Sequence, residues 1–209
     1  MNENRKKHCA ALAATVIKGL ESRNMSACYA ETCEDAVKAA LAMIPEGSTV
    51  TMGGGQSIID CGLFDALQSD KYQFIDRNKA EDRRAAMLQA YDADVYLASA
   101  NAISADGVMV NIDGNANRVS AIAYGPKKVI FIVGMNKIAP DLDSAMKRAR
   151  NTAAPVNCQR LNLNTPCVKN GKCMDCKSPD TICCEFLITR YSKHPGRINV
   201  ILVGEELGF

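Results

Sequence analysis

The sequence predicts an α/β fold, a mixed but largely parallel sheet flanked by helices. Two observations point to it. Short apolar runs with β character alternate with amphipathic helical stretches through most of the chain, the order that builds crossover units. Hydrophobic residues make up 47% of 209 residues, enough to bury a sizeable core and too many for a disordered chain. The net charge is only +2 with no long basic block, so nucleic-acid binding has no electrostatic support. No apolar run is long enough to span a bilayer. The length fits one domain over residues 1–209, with a cysteine-rich segment at 158–184.

Arg5, Lys6 and Lys7 precede an alanine-rich run, but Lys18, Glu21 and Arg23 follow at once. Leu12, Val16 and Leu20 recur at helical spacing, which favours an amphipathic helix over a signal peptide. A cytoplasmic location is then expected, where disulfides are rare. Residues 26–30 read as a strand. Thr32, with Asp35 three residues on, reads as the N-cap of a helix ending at Pro45-Glu46-Gly47. A strand over 48–52 leads through Gly53-Gly54-Gly55 into a helix over 57–67. Residues 72–75 predict a strand, 79–91 a charged helix and 95–98 a buried strand. Residues 108–112 and 119–124 predict two strands of a hairpin turning at Asp113-Gly114-Asn115. A central strand follows over 128–133, then a helix over 141–150. Two closing strands, over 186–191 and 198–203, read as an antiparallel pair.

Two loops at strand ends carry candidate ligand residues. Gly53, Gly54, Gly55, Gln56 and Ser57 let the backbone approach a ligand, and free N–H groups there favour an anion. The loop is neither a Walker A motif nor a dinucleotide fingerprint. The second loop, residues 99–107, offers Ser99, Asn101 and Asp106; Asp106 is a candidate general base, although Asp106-Gly107 also reads as a plain turn. Open α/β sheets bind ligands at the C-terminal ends of their strands, so the two loops should face each other. Arg118 is a candidate anion-binding side chain beside a polar turn that lacks the ending of a calcium loop. Lys137 is a candidate second cation, though taken alone it reads as a solvated lysine. His8 and His194, the two histidines, sit in no recognisable triad. Cys9, Cys28, Cys33 and Cys61 read as small buried apolar residues, with a reactive role left open for Cys61.

The densest chemistry lies between Cys167 and Cys184. Cys173 and Cys176 form a C-x₂-C pair flanked by Cys167 and by Cys183-Cys184. Pro166, Gly171 and Pro179 interrupt regular structure there, so the segment reads as a knuckle around a metal. Cys167, Cys173, Cys176 and Cys183 are the favoured ligands; Cys183 and Cys184 point different ways in extended chain, so one of them is spare. The spacing matches neither a zinc ribbon nor a ferredoxin run and leaves both an iron–sulfur cluster and structural zinc open.

Residues 97–107, then Gly114-Asn115 with Arg118, Gly125-Pro126 and Val133-Gly134-Met135-Asn136-Lys137-Ile138, resemble the LUD domain family, named for lactate utilisation. Pro166-Cys167, Gly171-Lys172-Cys173, Asp175-Cys176, Ser178-Pro179 and Ile182-Cys183 resemble a stand-alone cysteine-rich subgroup, in whose pattern Cys158 and Cys184 are extra. The resemblance implies a fold like that of ribose-5-phosphate isomerase, glucosamine-phosphate deaminase and the CoA-transferases. It also implies a link to lactate oxidation, where relatives act beside iron–sulfur and redox subunits. The chain lacks the ferredoxin-type domain of larger relatives. The expectation is therefore a protein of lactate or related organic-acid metabolism that binds a small anionic ligand and a cysteine-held metal. Iron–sulfur is placed ahead of zinc, and redox subunits are candidate partners. Two alternatives stand beside it: an isomerase- or transferase-like enzyme acting on a sugar phosphate or acyl-CoA with a structural metal, and a non-catalytic subunit of a redox complex. The knuckle is expected beside the ligand pocket.

Overall fold

The structure is a computed structural model that describes residues 2–209. Helix α1 (Glu3–Ser22) opens it, with the Asn2 side chain accepting from Arg5 N at its start. Strand β1 (Ser26–Ala30) follows, then α2 (Cys33–Ala42), whose Thr32 cap accepts from Asp35 N. Strand β2 (Thr49–Met52) leads through the glycines into α3 (Gln56–Asp60) and α4 (Leu63–Ala66). These two take the place of the single expected helix, because Gly62 adopts a left-handed conformation at φ 84° and breaks it. Strand β3 (Gln73–Ile75), helix α5 (Arg83–Gln89) and strand β4 (Val95–Ala98) come next. The helix expected from residue 79 starts later, where Asp82 caps it.

Strands β5 (Ala102–Ser104) and β6 (Met109–Asp113) form a hairpin turning at Asp106-Gly107. The expected partner strand over 119–124 is instead helix α6 (Asn117–Ala123). Val119 and Ile122 are three residues apart and both buried, so their β-branched character yields to a helical face. Strand β7 (Lys128–Gly134) is followed by a single 3₁₀ turn, Met135–Lys137, and by β8 (Ile138–Ala139). Helix α7 (Leu142–Arg148) continues through a π-helical stretch, Ala149–Ala153, into α8 (Ala154–Arg160). The short α9 (Pro166–Asn170) and strands β9 (Glu185–Thr189) and β10 (Ile198–Val203) complete the chain.

Six strands form one sheet in the order β1-β10-β7-β4-β2-β3, every pair parallel. A second sheet, β8-β5-β6-β9, holds the antiparallel pairs. The two closing strands therefore do not pair: β9 joins β6, and β10 enters the centre of the parallel sheet. Strand β7 shows why the large sheet is covered on both faces. Its Val129, Phe131 and Val133 join α1 in one apolar cluster, while Ile130 and Ile132 join α2 in another. The small sheet packs against α7 and α8 through alanines, among them Ala145, Ala149 and Ala154. No helix among the described residues is long and apolar enough to cross a membrane.

Candidate functional site

Strands β2, β4 and β7 lie side by side and parallel, so the chain leaves all three at one edge. After β2 come the glycines; after β4, Ser99 and Asn101; after β7, Lys137. Gly53 N donates to Leu97 O at 3.4 Å, holding the glycine loop against β4. A Cβ at Gly53 would lie 2.8 Å from the Tyr96 hydroxyl and 2.9 Å from Arg118 Cδ, so the approach requires glycine.

The edge opens into a cavity of about 230 Å³. Of the expected residues, Gly54, Gly55, Gln56, Ser99, Asn101, Arg118 and Lys137 line it. Gly53 and Ser57 stand behind this lining. Three arginines that sequence reasoning missed also border the cavity: Arg77 just after β3, Arg83 at the start of α5, and Arg160 at the end of α8. Arg77 could have been found by the strand-end rule already applied to the other loops. Arg160 could not, because only the tertiary fold brings α8 across the sheet edge.

Five cationic side chains thus face one space whose acidic member is Asp113. Arg118 is partly spoken for. Its Nε donates to Asp113 Oδ2 at 3.4 Å, and its Nη2 donates to Asn101 Oδ1 at 3.3 Å and to the Ile112 carbonyl. Burial lowers the Arg77 pKa from its ordinary value. A site rich in desolvated cations suits an anion.

Lys137 is not the solvated lysine that its sequence context suggests. It is 4% exposed, in the 3₁₀ turn that follows β7. Its Nζ donates to Ser57 Oγ at 2.7 Å and to Ser99 Oγ at 3.1 Å, and no carboxylate lies within ion-pair distance among the described residues. Burial, then the charges of Arg148 and Arg118, push its pKa down to about 7.

Asp106 stands elsewhere. It accepts from Ser104 Oγ at 2.5 Å and from Arg23 Nη2 at 2.5 Å, at the turn where β5 and β6 dock on the C-terminal end of α1. Strand β5 carries the chain away from Asn101, five residues and roughly 15 Å of extended backbone from the cavity. The candidate general base is therefore a turn residue that anchors Arg23, and it is absent from the cavity lining.

The cysteine segment closes around a second, smaller cavity of about 60 Å³. Cys167, Cys173, Cys176 and Cys183 all line it. So does Cys158, expected to be extra; it is buried on α8, within the helix and not in the irregular segment. Cys184 is exposed and lies outside this lining. All ten cysteines are free thiols. Arg150 Nη2 donates to Cys173 Sγ at 3.4 Å, and Thr165 Oγ1 lies 3.1 Å from Cys167 Sγ. Among the described residues, no three Cys, His, Asp or Glu side chains stand close enough to share one ion. The other candidate thiol, Cys61, has its pKa pushed up to about 12 by burial, which disfavours the thiolate there.

The two cavities share their walls. Ala153, Asn157 and Arg160 face the cationic cavity, while Ala154, Pro155 and Cys158, on the same stretch of helix, face the cysteines. Ile182 borders the first cavity and its neighbours Thr181 and Cys183 the second. Strand β9, directly after the cysteines, pairs with β6, and Cys184 N donates to the Asp113 carbonyl at 3.1 Å. The knuckle is thereby tied to the turn that carries Arg118.

A solved structure, that of a DUF162 family protein from Deinococcus radiodurans, superposes with a TM-score of 0.52 at 13% sequence identity. The match covers 93% of this chain and 98% of the other, and at that identity it establishes the shared fold. No curated protein matches the chain. The family model that does match describes the LUD domain and runs over residues 13–203, so the chain belongs to the LUD domain family.

Proposed function

We propose that this LUD-domain protein serves lactate or related organic-acid metabolism. It holds a small organic anion in the cationic cavity, and an iron–sulfur cluster on Cys167, Cys173, Cys176 and Cys183. The observation that carries the reading is the common wall. One helical stretch presents Asn157 and Arg160 to the cationic side and Cys158 to the thiols. A cluster bound there supplies one-electron transfer within a few side chains of the anion, and redox subunits are its natural exchange partners.

An iron–sulfur cluster and structural zinc both take cysteine sulfurs as ligands. Four sulfurs about 2.3 Å from one zinc ion would lie roughly 3.8 Å from one another. The four thiols line a common cavity, but no three of them stand close enough to share one ion, so placing a cluster ahead of zinc rests on the link of LUD-domain relatives to iron–sulfur and redox subunits. Arginines at the mouth of the other cavity supply the charge for a carboxylate or phosphate, with Arg83 and Arg160 free of the Asp113 contact that occupies Arg118.

Anaerobic purification followed by absorption spectroscopy and metal analysis tests the cluster. The expected result is a broad visible band that bleaches on reduction, with iron and sulfide in the preparation, and loss of both in Cys176→Ser. Zinc alone, or no metal, would sink this half of the proposal. Lactate, pyruvate and inorganic phosphate test the other half by thermal shift: the parent should melt higher with at least one of them, and Arg83→Ala/Arg160→Ala should not. Equal shifts in both proteins would remove the cationic cavity as the binding site.

A further inference from the structure

Ser99, Ser57 and Lys137 come from three separate strand ends and meet within hydrogen-bond distance. Ser99 Oγ donates to Ser57 Oγ at 3.2 Å; Lys137 Nζ reaches Ser57 Oγ at 2.7 Å and Ser99 Oγ at 3.1 Å. All three are buried, at 4%, 1% and 4% exposure. Ser99 and Lys137 border the cationic cavity, and Ser57 lies behind them. We propose that these three side chains form a nucleophilic relay that moves the acyl group of a negatively charged ester or thioester onto Ser99 and then onto water. The proposal rests on the anion-binding reading of the cavity and names the chemistry of its ligand.

A serine hydroxyl is a weak nucleophile until a base takes its proton. A lysine serves as that base only when it is neutral, which needs burial without an acidic partner. Lys137 meets this condition. Facing its amine are Arg148 from α7 and Arg118 from α6, which disfavour the ammonium; Asp60 from α3, which favours it; and the two serine hydroxyls. Asp60 is occupied, accepting from Gln56 Nε2 at 2.8 Å and from Gly208 N at 2.9 Å. The balance leaves an amine whose pKa falls to about 7. The Ser99 backbone is pinned as well, since its carbonyl accepts from the buried Asn111 Nδ2 at 2.8 Å.

The step balances without an outside oxidant or reductant. Ser99 Oγ attacks the acyl carbon while its proton passes to Ser57 Oγ and the Ser57 proton passes to the lone pair of Lys137 Nζ. The carbonyl electron pair moves onto oxygen and returns as the bond to the leaving group breaks. Lys137 gives its proton back, through Ser57, to the departing alkoxide or thiolate. Water then attacks the acyl-serine by the same proton path, releasing the acid and restoring Ser99. Arg77, Arg83 and Arg160 hold the charged end of the substrate and select anionic acyl donors over neutral ones.

The full chain is treated with a fluorophosphonate, which activated serines attack, and separately with para-nitrophenyl hemisuccinate, an ester with a free carboxylate. The expected result is one adduct, mapped by peptide mass to Ser99, and ester hydrolysis that Ser99→Ala abolishes. Ser57→Ala, a small change with circular dichroism as the fold check, should slow labelling by about a hundredfold or more. The labelling rate should rise with pH through a midpoint of about 7, the titration of Lys137. Failure of a folded parent to label, an adduct on Lys137 or any other residue, or parental hydrolysis by Ser99→Ala overturns the relay. If phosphate still raises the melting temperature while no adduct forms, the anion site stands and the relay alone falls; if neither occurs, both fall.

Discussion

At Gly19 and Gly107, helix α1 and the β5–β6 turn touch backbone to backbone. A Cβ added at Gly19 would sit 2.5 Å from Asp106 C, and one added at Gly107 would sit 2.5 Å from Gly19 C, where no flexible side chain can give way. Gly107 also holds a φ of 87°, which costs a side-chain-bearing residue further. Gly19→Ala is predicted to destabilise the fold by about 1–3 kcal/mol, read as a lower melting temperature. Asp106 in the same turn is a partly exposed ion-pair partner, so Asp106→Asn should cost no more than about 1 kcal/mol. It should leave anion binding unchanged, because Asp106 does not border the cavity. A loss of anion binding in Asp106→Asn would restore the residue to the site. Hydrogen bonds from Ser104 and then Arg23 lower its carboxyl pKa, so its contribution is present above the unfolded carboxylate pKa. It is lost as pH falls through the folded one.

Local pattern and tertiary placement separate at the scale of elements. Strands β4, β7 and β10 were legible because continuous β-branched and apolar runs have one physical use, a strand covered on both faces. That rule also put the glycine loop and Ser99 at one edge. It failed for α6, where Val119 and Ile122 carry the same composition but Asp113 accepts from Arg118 N and turns the chain into a helix. It failed again for the end of the 99–107 loop, because β5 belongs to a second sheet that hydrophobic alternation alone cannot distinguish from the first. Helix α8 was hidden by its own cysteine: Cys158 looked like part of an irregular segment, whereas the π-helical stretch before it shifts the helical register and places Cys158 among the thiols and Asn157 on the cavity. The segment 166–184 has little regular structure beyond α9, so a bound cluster would supply much of its order. If the chain binds the proposed cluster, removing it with chelator and oxidant should speed amide exchange in 166–184 while β7 and β10 stay protected. Uniform loss of protection would show instead that the cluster holds the whole fold together.

The molecule as a whole titrates in opposing directions, and the buried lysine sets the middle of the curve. Lys137 in the folded chain falls to about 7 from an ordinary 10.5, so between these values the unfolded chain binds more protons. Stability must therefore rise with pH across that window, by at most about 1.4 kcal/mol per pH unit. Cys61 works the other way: burial raises it to about 12 from 9.0, so above about 9 the unfolded chain binds fewer protons and stability falls. Burial raises Cys28, Cys33 and Tyr96 in the same sense, Tyr96 to about 12. On the acid side Asp94, held down to about 2 by Lys127 and Thr49, loses its contribution as pH falls from the unfolded carboxylate value toward 2. The sum is a stability maximum on the alkaline side of neutrality. Denaturant unfolding of the chain between pH 6 and pH 10 should show that rise and fall. Lys137→Met, which keeps the length of the side chain and removes the charge, should flatten the rise below pH 9 and leave the fall above it. An unchanged rise in the variant would mean that Lys137 is charged in the folded protein near neutral pH. Anion binding answers to the same proton with opposite sign, since the ammonium attracts what the neutral amine does not. Phosphate affinity in the parent should thus decline through pH 7 beyond the change in phosphate's own charge, and Lys137→Met should abolish that excess.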